Sequence, residues 1–206
     1  MPLPPKEKAT EACVRSFRHA LWSPFASGMQ NLPEGRTGLV LTESGSSLVM
    51  ALLWEIRYLR MGRGRPPVFL ASRPVPWFPE AILTSVPETG ADMERLGLDY
   101  LALPLSRDDL ALLFLRDMFF RGRLRPRSFL CREAGVGCLY PLYRIAERDL
   151  VRFCARLGLP GVQKMPGMEE TRAVVKKTGM DTEVLRERIF CAMENVREET
   201  FPDMGS

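Results

Sequence analysis

The sequence predicts an α/β fold with three layers, in which an open, mostly parallel sheet of four to five strands has helices on both faces. A short apolar run at 38–42 is typical of a buried strand, and residues 46–61 then space their apolar side chains as a helix does. The same alternation of strand and helix recurs along the chain. Such alternation favours a parallel sheet, because each crossover helix covers one of its faces.

The predicted elements follow one another with short connections. Strands are expected at 38–42, 68–71, 100–103 and 139–142, and helices at 7–20, 46–61, 93–96, 108–120, 147–157 and 181–199. In each helix the apolar residues recur three or four positions apart, as Leu48, Leu52 and Ile56 do. We expect Ser46 or Ser47 to cap the second helix, since serine is favoured at that position.

Three segments are expected along the chain. They are an N-terminal extension with a short helix at 1–37, an α/β domain at 38–160 and a helical extension at 161–206. The chain has 206 residues, of which 46% are hydrophobic, so it is long enough to bury one substantial core.

Composition argues against several classes of protein and site. The longest apolar run falls far short of the ~20 residues that a membrane span needs, so we expect a cytoplasmic protein with no membrane partner. Five cysteines without a C-x-x-C pair, and His19 as the single histidine, favour neither a disulfide framework nor a metal site. We expect Cys131 and Cys138 to be inert thiols and His19 to lie on the surface.

The basic residues are mostly arginine and they cluster. The densest group, which we predict to bind RNA, consists of Arg116, Arg121, Arg123, Arg125 and Arg127. Guanidinium groups bind phosphates with two hydrogen bonds, and clusters of them are typical of RNA surfaces. A bias toward arginine throughout the chain explains the cluster equally well, because the net charge is only +4. No DNA partner is expected.

Three blocks of sequence resemble the PP-loop ATP pyrophosphatase superfamily, specifically the tRNA 2-thiocytidine synthetase type. They are RDDLALLFLRDMFFRGRLRP at 107–126, YPLYRIAERDLVRFCARLGLP at 140–160, and PWFPE at 76–80 with MERLGLDY at 93–100. The resemblance implies an α/β fold of the adenine nucleotide alpha hydrolase type and a role in tRNA thiolation. ATP and magnesium are the cofactors that it implies.

The loop at 42–47 then occupies the place of the family's S-G-G-x-D-S signature, whose glycines and N–H groups hold the pyrophosphate of ATP. The resemblance implies these nucleotide contacts: Thr42, Ser44, Gly45, Ser46 and Ser47, with Asp108 and Asp109 beside a magnesium ion. Carboxylates in the first turn of a helix also stabilise that helix by themselves, so the two aspartates have a second explanation.

The chain departs from the family at the groups that do its chemistry. The sequence TESGSS keeps only the last serine of the signature, and Glu43 would repel a phosphate at ~4 Å by about 4 kcal/mol. Neither C-x-x-C pair of the family is present, so we expect no iron–sulfur cluster. We therefore expect ATP and magnesium to bind weakly, and we assign no catalytic residue.

Three functions are consistent with this pattern. The first is a degenerate PP-loop protein, a pseudoenzyme that keeps an arginine surface for tRNA or another RNA. The second is an active ATP-dependent tRNA-modifying ligase, similar to a sulfurtransferase, with an altered nucleotide loop. The third is a regulatory subunit whose last helix, at 181–199, docks on a protein partner or on a second copy of the chain.

Overall fold

A mostly parallel sheet flanked by helices organises the chain, as the sequence predicts, and it has six strands. The computed structural model describes residues 17–61, 66–122, 125, 127–133, 135–179 and 182–195. The strands are β1 (Thr37–Leu41), β2 (Val68–Ala71), β3 (Ile82–Leu83), β4 (Tyr100–Ala102), β5 (Leu130–Glu133) and β6 (Val136–Leu139). Their order is β3-β2-β1-β4-β6-β5, and only the β5–β6 pair is antiparallel.

Seven α-helices are present in the described part of the chain. They are α1 (Ser23–Gly28), α2 (Gly45–Met61), α3 (Gly90–Arg95), α4 (Arg107–Arg121), α5 (Glu147–Leu157), α6 (Glu169–Lys177) and α7 (Glu183–Asn195). The sequence predicts α5 to the residue and α2 and α4 to within one residue, while α6 was not predicted. Most of the helix expected at 7–20 lies outside the described residues. From Arg18 to Trp22 the chain forms a π-helical turn, on which His19 is exposed as predicted.

Two predictions about strands are wrong. The strand expected at 139–142 lies earlier, at β6, because the chain turns sharply after Leu139 and Pro141 has no N–H for a ladder. The sheet also has more than the expected four to five strands. The two additional strands are β3, which is only two residues long, and β5, an edge strand whose side chains are exposed or half-buried.

The core includes residues from both ends of the described chain. Leu39 and Leu52 on β1 and α2 are buried at its centre, and Phe25 of α1 packs edge-on against Trp54. Phe190 on α7 is buried beside Tyr143. Among the residues that the structure describes, no helix combines the length and the apolar character needed to cross a lipid bilayer.

The parallel strands place several loops at one edge of the sheet. The carboxyl ends of β1 and β4 lie side by side, so the segment 42–44 and the first turn of α4 share that edge. Helix α4 has 15 residues and is therefore about 22 Å long, which separates its last turn from its first. The two groups of functional residues predicted from the sequence thus lie in different parts of the molecule.

Candidate functional site: a closed serine loop and an arginine cluster

The serine loop, residues 42–47, joins β1 to α2 at the point where the strand order reverses. Chain connections leave β1 toward β2 on one side, and β4 pairs with β1 on the other. In open α/β sheets, ligands bind at such a point, outside the carboxyl ends of the strands. The position of the loop therefore suits a nucleotide, and its hydrogen bonds decide whether it can accept one.

Ser47 closes the loop from inside. Its hydroxyl accepts from the N–H of Thr42 at 3.0 Å, and its single proton is shared between the carbonyl oxygens of Thr42 and Ser44, which both lie 2.8 Å away. The side chain is fully buried. Bonds of this kind from a serine side chain satisfy backbone groups that would otherwise need a ligand or water.

Ser44, and neither Ser46 nor Ser47, caps the start of α2. The N–H of Ser47 donates to the carbonyl oxygen of Ser44 at 3.1 Å, and the Ser44 hydroxyl accepts from the N–H of Ser46 at 3.4 Å. The N–H of Ser44 itself donates to the Thr42 hydroxyl at 3.2 Å. The capping prediction was wrong because the helix begins one residue earlier, at Gly45.

A distant segment, residues 160–163, covers the loop. The N–H of Gly45 donates to the carbonyl oxygen of Gly161 at 3.0 Å, and the N–H of Gln163 donates to the Ser44 hydroxyl at 3.1 Å. A Cβ atom on Gly45 would lie 2.3 Å from the carbonyl oxygen of Pro160. Glycine here permits this close approach of the covering segment, whereas the family's glycines permit the approach of pyrophosphate.

Five of the six backbone N–H groups of the loop are therefore already used within the chain. The N–H groups of Thr42, Ser44, Gly45, Ser46 and Ser47 all have acceptors within the chain. A phosphate could bind only by displacing the covering segment and the serine hydroxyls. In this arrangement the residues do not fit a polyphosphate.

A small cavity remains beside the loop, at the carboxyl ends of β1 and β2. Its volume is about 230 Å³, and it is lined in part by Thr42, Glu43, Arg73 and Gln163. Pockets for small molecules usually measure about 300–1,000 Å³. The Glu43 carboxylate is exposed and lies 3.8 Å from the guanidinium of Arg73, so the expected negative charge stands at the mouth of this cavity.

Asp109 and Asp108, in the first turn of α4, have different hydrogen-bond and ion-pair partners. Asp109 forms a capping box with Ser106, in which its carboxylate accepts from the N–H and the hydroxyl of that residue at 3.0 and 2.7 Å. Burial raises the pKa of Asp109 although these bonds lower it. Asp108 accepts from the N–H of Glu147 at 2.7 Å and faces Arg186 at 3.5 Å. Both aspartates thus have structural partners within the chain.

The described residues offer little to a metal ion or an iron–sulfur cluster. No group of three or more histidine, cysteine, aspartate or glutamate side chains is arranged to hold a metal within the described ranges. Cys131 and Cys138 face each other across the β5–β6 ladder, and burial raises the pKa of Cys138 to about 12. Burial also raises the pKa of Cys154, beside the serine loop, to about 11. Protonated thiols are poor nucleophiles, which is consistent with inert thiols, and the inertness of Cys131 and Cys138 stays a prediction.

The arginine cluster surrounds two acidic residues that the sequence analysis missed. Arg127 is 4% exposed and donates to both carboxylates, to Asp117 at 2.8 Å and to Glu133 at 2.8 Å. Burial lowers the pKa of Arg127, but the two carboxylates more than offset this and raise it. Arg116 and Arg121 lie 3.7 and 3.3 Å from Asp117, and Arg125 lies 3.5 Å from Glu133.

The predicted RNA-binding residues therefore divide into two groups. Arg127 belongs to a buried network that joins α4 to β5, while Arg121 and Arg125 are each 55% exposed and pair only loosely. Arg116 is intermediate, and its guanidinium also contacts the sulfur of Met168 at 3.7 Å. Arg123 lies outside the described residues. Four guanidinium groups around two carboxylates leave two positive charges in excess.

Comparisons with known proteins identify the fold. No protein-family model matches the sequence, and no curated protein does. Among solved structures, the chain is similar to the U34-tRNA thiolase NcsA from Methanococcus maripaludis, determined with its [4Fe-4S] cluster. The TM-score is 0.52 at 15% sequence identity, over 93% of this chain and 81% of the thiolase.

The chain shares the fold of that thiolase. The agreement covers 93% of the chain, so it concerns the architecture of the chain as a whole. At this identity the likeness concerns the fold alone. The contacts of the serine loop and of the arginine cluster are therefore the basis for a function.

Proposed function

We propose that this protein is a degenerate member of the tRNA 2-thiocytidine synthetase type that binds RNA without activating ATP. It would act in the cytoplasm, on tRNA or another RNA, as a pseudoenzyme without an iron–sulfur cluster. The observation that carries the proposal is the closed serine loop, in which the N–H groups of Thr42 and of residues 44–47 all donate to acceptors within the chain. The exposed arginines at the end of α4 supply the RNA-binding part.

The energetic argument concerns what ATP would have to displace. Each N–H that now donates to a buried oxygen would leave that oxygen unsatisfied, and an unsatisfied buried group costs about 1–3 kcal/mol. Adenylation further requires donors that are in place before the reaction, and the loss of one such donor can cost about 3 kcal/mol. Several would be lost here. The same geometry gives the active-ligase hypothesis less support.

The hypothesis of a regulatory subunit depends on the last helix. In the structure, α7 packs against α4 of the same chain, with Phe190 and Met193 buried. Ion pairs join α7 to Arg107 of α4, to Arg148 of α5 and to Arg144 just before α5. Because Phe190 and Met193 of this helix are already buried within the chain, the hypothesis that α7 docks on a partner has less support than RNA binding at the end of α4.

The first test measures ATP. Isothermal titration with magnesium and ATP is expected to give no saturable heat at micromolar concentration, and bulk tRNA is expected to release no pyrophosphate. Micromolar affinity together with pyrophosphate release would instead establish the active ligase.

The second test measures RNA. We expect tRNA affinity to fall steeply with log salt, because arginine contacts release counterions, and the variant Arg121→Ala with Arg125→Ala to flatten that slope by about two units. Arg152→Ala is a matched control, since Arg152 is 70% exposed on a different helix. An affinity that does not change with salt would remove the electrostatic basis of the proposal.

A further inference from the structure

We propose that the last turn of α4 is a stacking surface for unpaired RNA bases, with its neighbouring arginines holding the phosphates. This inference rests on the proposed RNA-binding function and names the class of RNA, which is a single strand or a loop rather than a duplex. It combines three features: exposed aromatic rings in the last turn of α4, a buried ion pair that fixes this turn, and arginines close by in the sequence.

Two adjacent phenylalanines in the last turn of α4 are exposed. Phe119 is 38% exposed and Phe120 is 46% exposed, and Met118 before them is 36% exposed. Earlier in the same helix, every residue from 110 to 115 is buried. Adjacent exposed rings are costly in water, and such patches usually mark a contact surface. The signal was present in the sequence, as an aromatic pair beside arginines, but only the structure shows that the pair is exposed.

The turn that carries the rings is fixed in place. Asp117, in the same turn, is 1% exposed and receives the 2.8 Å bond from Arg127, which also binds Glu133 on β5. Gly122 then ends the helix with φ +61°, and its N–H donates to the carbonyl oxygen of Asp117. Because the turn is held from below, the rings lose little freedom on binding, which favours affinity.

The charges beside the rings favour a nucleic acid over a protein. Arg121 and Arg125 are half-exposed, and their pairs with Asp117 and Glu133 are 3.3 and 3.5 Å long. The Arg125–Glu133 pair is partly exposed on both sides, and such pairs stabilise a protein by at most about 1 kcal/mol, so Arg125 can turn to a phosphate at little cost, while Asp117 keeps its buried partner Arg127 when Arg121 does the same. Aromatic residues and arginine are also enriched at protein interfaces, so the excess of positive charge around the rings is what favours a nucleic acid, because surfaces for single strands combine aromatic rings with a positively charged groove.

The geometry of RNA then selects unpaired bases. In an A-form duplex the base faces are stacked inside, and the deep, narrow major groove excludes side chains. Only a single strand, a bulge or a loop can offer the face of a base to Phe119 or Phe120. The sequence preference should be weak, because every base has such a face.

The experiment compares a labelled single-stranded RNA with the same RNA annealed to its complement, by fluorescence anisotropy. The test variant is Phe119→Leu with Phe120→Leu, which keeps an apolar surface but removes the aromatic faces. We expect single-strand affinity to fall at least about fivefold for each ring that stacks a base, with no change in the slope against log salt. Phe119→Trp should retain the affinity. Val184→Ala, at a residue 62% exposed on α7, is the control.

The outcomes separate this inference from the proposed function. If neither form of RNA binds the unaltered protein, both fail. If RNA binds but the leucine variant matches the unaltered protein on single strand and duplex, the stacking inference alone is overturned. It is also overturned if light scattering shows a dimer that the leucine variant dissociates while single-strand affinity stays unchanged. Thermal melting of each variant shows that it remains folded.

Discussion

The serine loop and the last turn of α4 are built on opposite principles. In the loop, buried serines and a covering segment satisfy the backbone donors from within. At the end of α4, Arg127 is buried in an ion pair with Asp117, while Arg121 and the rings of Phe119 and Phe120 are exposed. The sequence analysis named both regions as candidate sites, the loop from a family resemblance and the arginines from their clustering. In the first region the backbone donors already have acceptors within the chain, whereas in the second two arginines and two rings are exposed to a ligand.

The largest expected effect tests the scaffold beneath α4. Arg127→Leu would leave Asp117 and Glu133 without their buried partner, and the loss of one member of a buried ion pair typically costs about 3–5 kcal/mol. Arg125→Ala removes an exposed partner of Glu133 and should cost at most about 1 kcal/mol. Urea unfolding measures both free energies. Equal costs would mean that the buried network does not hold this end of the helix.

The next effect tests the closure of the loop. Gly45→Ala places a methyl group 2.3 Å from the carbonyl oxygen of Pro160 and 2.5 Å from the sulfur of Cys154, and overpacking of this kind costs about 1–3 kcal/mol. Gly90→Ala is the matched control, because its added Cβ meets nothing within 4 Å. RNA affinity should be unchanged in both variants. A Gly45 variant as stable as the control would show that the covering segment is not seated on the loop.

A smaller effect tests the internal hydrogen bonds. Ser47→Ala removes the acceptor of the Thr42 N–H and a donor to two carbonyl oxygens, and we expect a loss of about 1–2 kcal/mol. Ser128→Ala removes one exposed hydroxyl bond and should change the free energy of unfolding by a few tenths of a kcal/mol. Chemical denaturation at one pH suffices. If the Ser47 variant lost no more free energy of unfolding than the Ser128 variant, water would be forming the hydrogen bonds to the backbone groups of the loop.

The smallest effect is a pH dependence at the start of α4. Burial raises the pKa of Asp109, and burial together with Asp109 and Asp108 raises that of Glu147. In the window above the ordinary carboxyl pKa of about 4, the folded state holds more protons than the unfolded state, so stability falls as pH rises through it. Asp109→Asn with Glu147→Gln should flatten this decline in urea midpoints measured across that window.

Asp92 is the control for this pH series. The hydrogen bond from the Thr89 hydroxyl lowers its pKa, so its contribution has the opposite sign and is lost as pH falls. Asp92→Asn should therefore leave the decline with rising pH in place. A decline that survives in the Asp109 and Glu147 variant would contradict the assignment.

The sequence predicts those parts of the fold that local patterns encode. Helix α5 is predicted to the residue because its apolar side chains recur at helical spacing and a left-handed glycine, Gly158, follows it. Strands β1 and β2 are predicted because each is a short buried apolar run. Strand β5 was missed, since an exposed edge strand with the sequence LCRE carries no such pattern.

The candidate site was only half predictable, for a physical reason. The residues of the serine loop and the arginines are visible in the sequence, but their partners are remote. Gln163 reaches Ser44 across 119 positions, and Arg127 reaches Asp117 across ten. No local periodicity encodes such contacts. They decide whether a serine or an arginine is available to a ligand, so availability could be learned only from the folded chain.

The most direct test of the central claim follows the backbone amides of the serine loop by two-dimensional ¹H–¹⁵N NMR during titration with magnesium and ATP. We predict that the Gly45, Ser46 and Ser47 signals stay in place up to millimolar ATP, because their N–H groups already donate within the chain. Saturable shifts of these signals at micromolar ATP would show that the loop opens to phosphate, and would contradict the account.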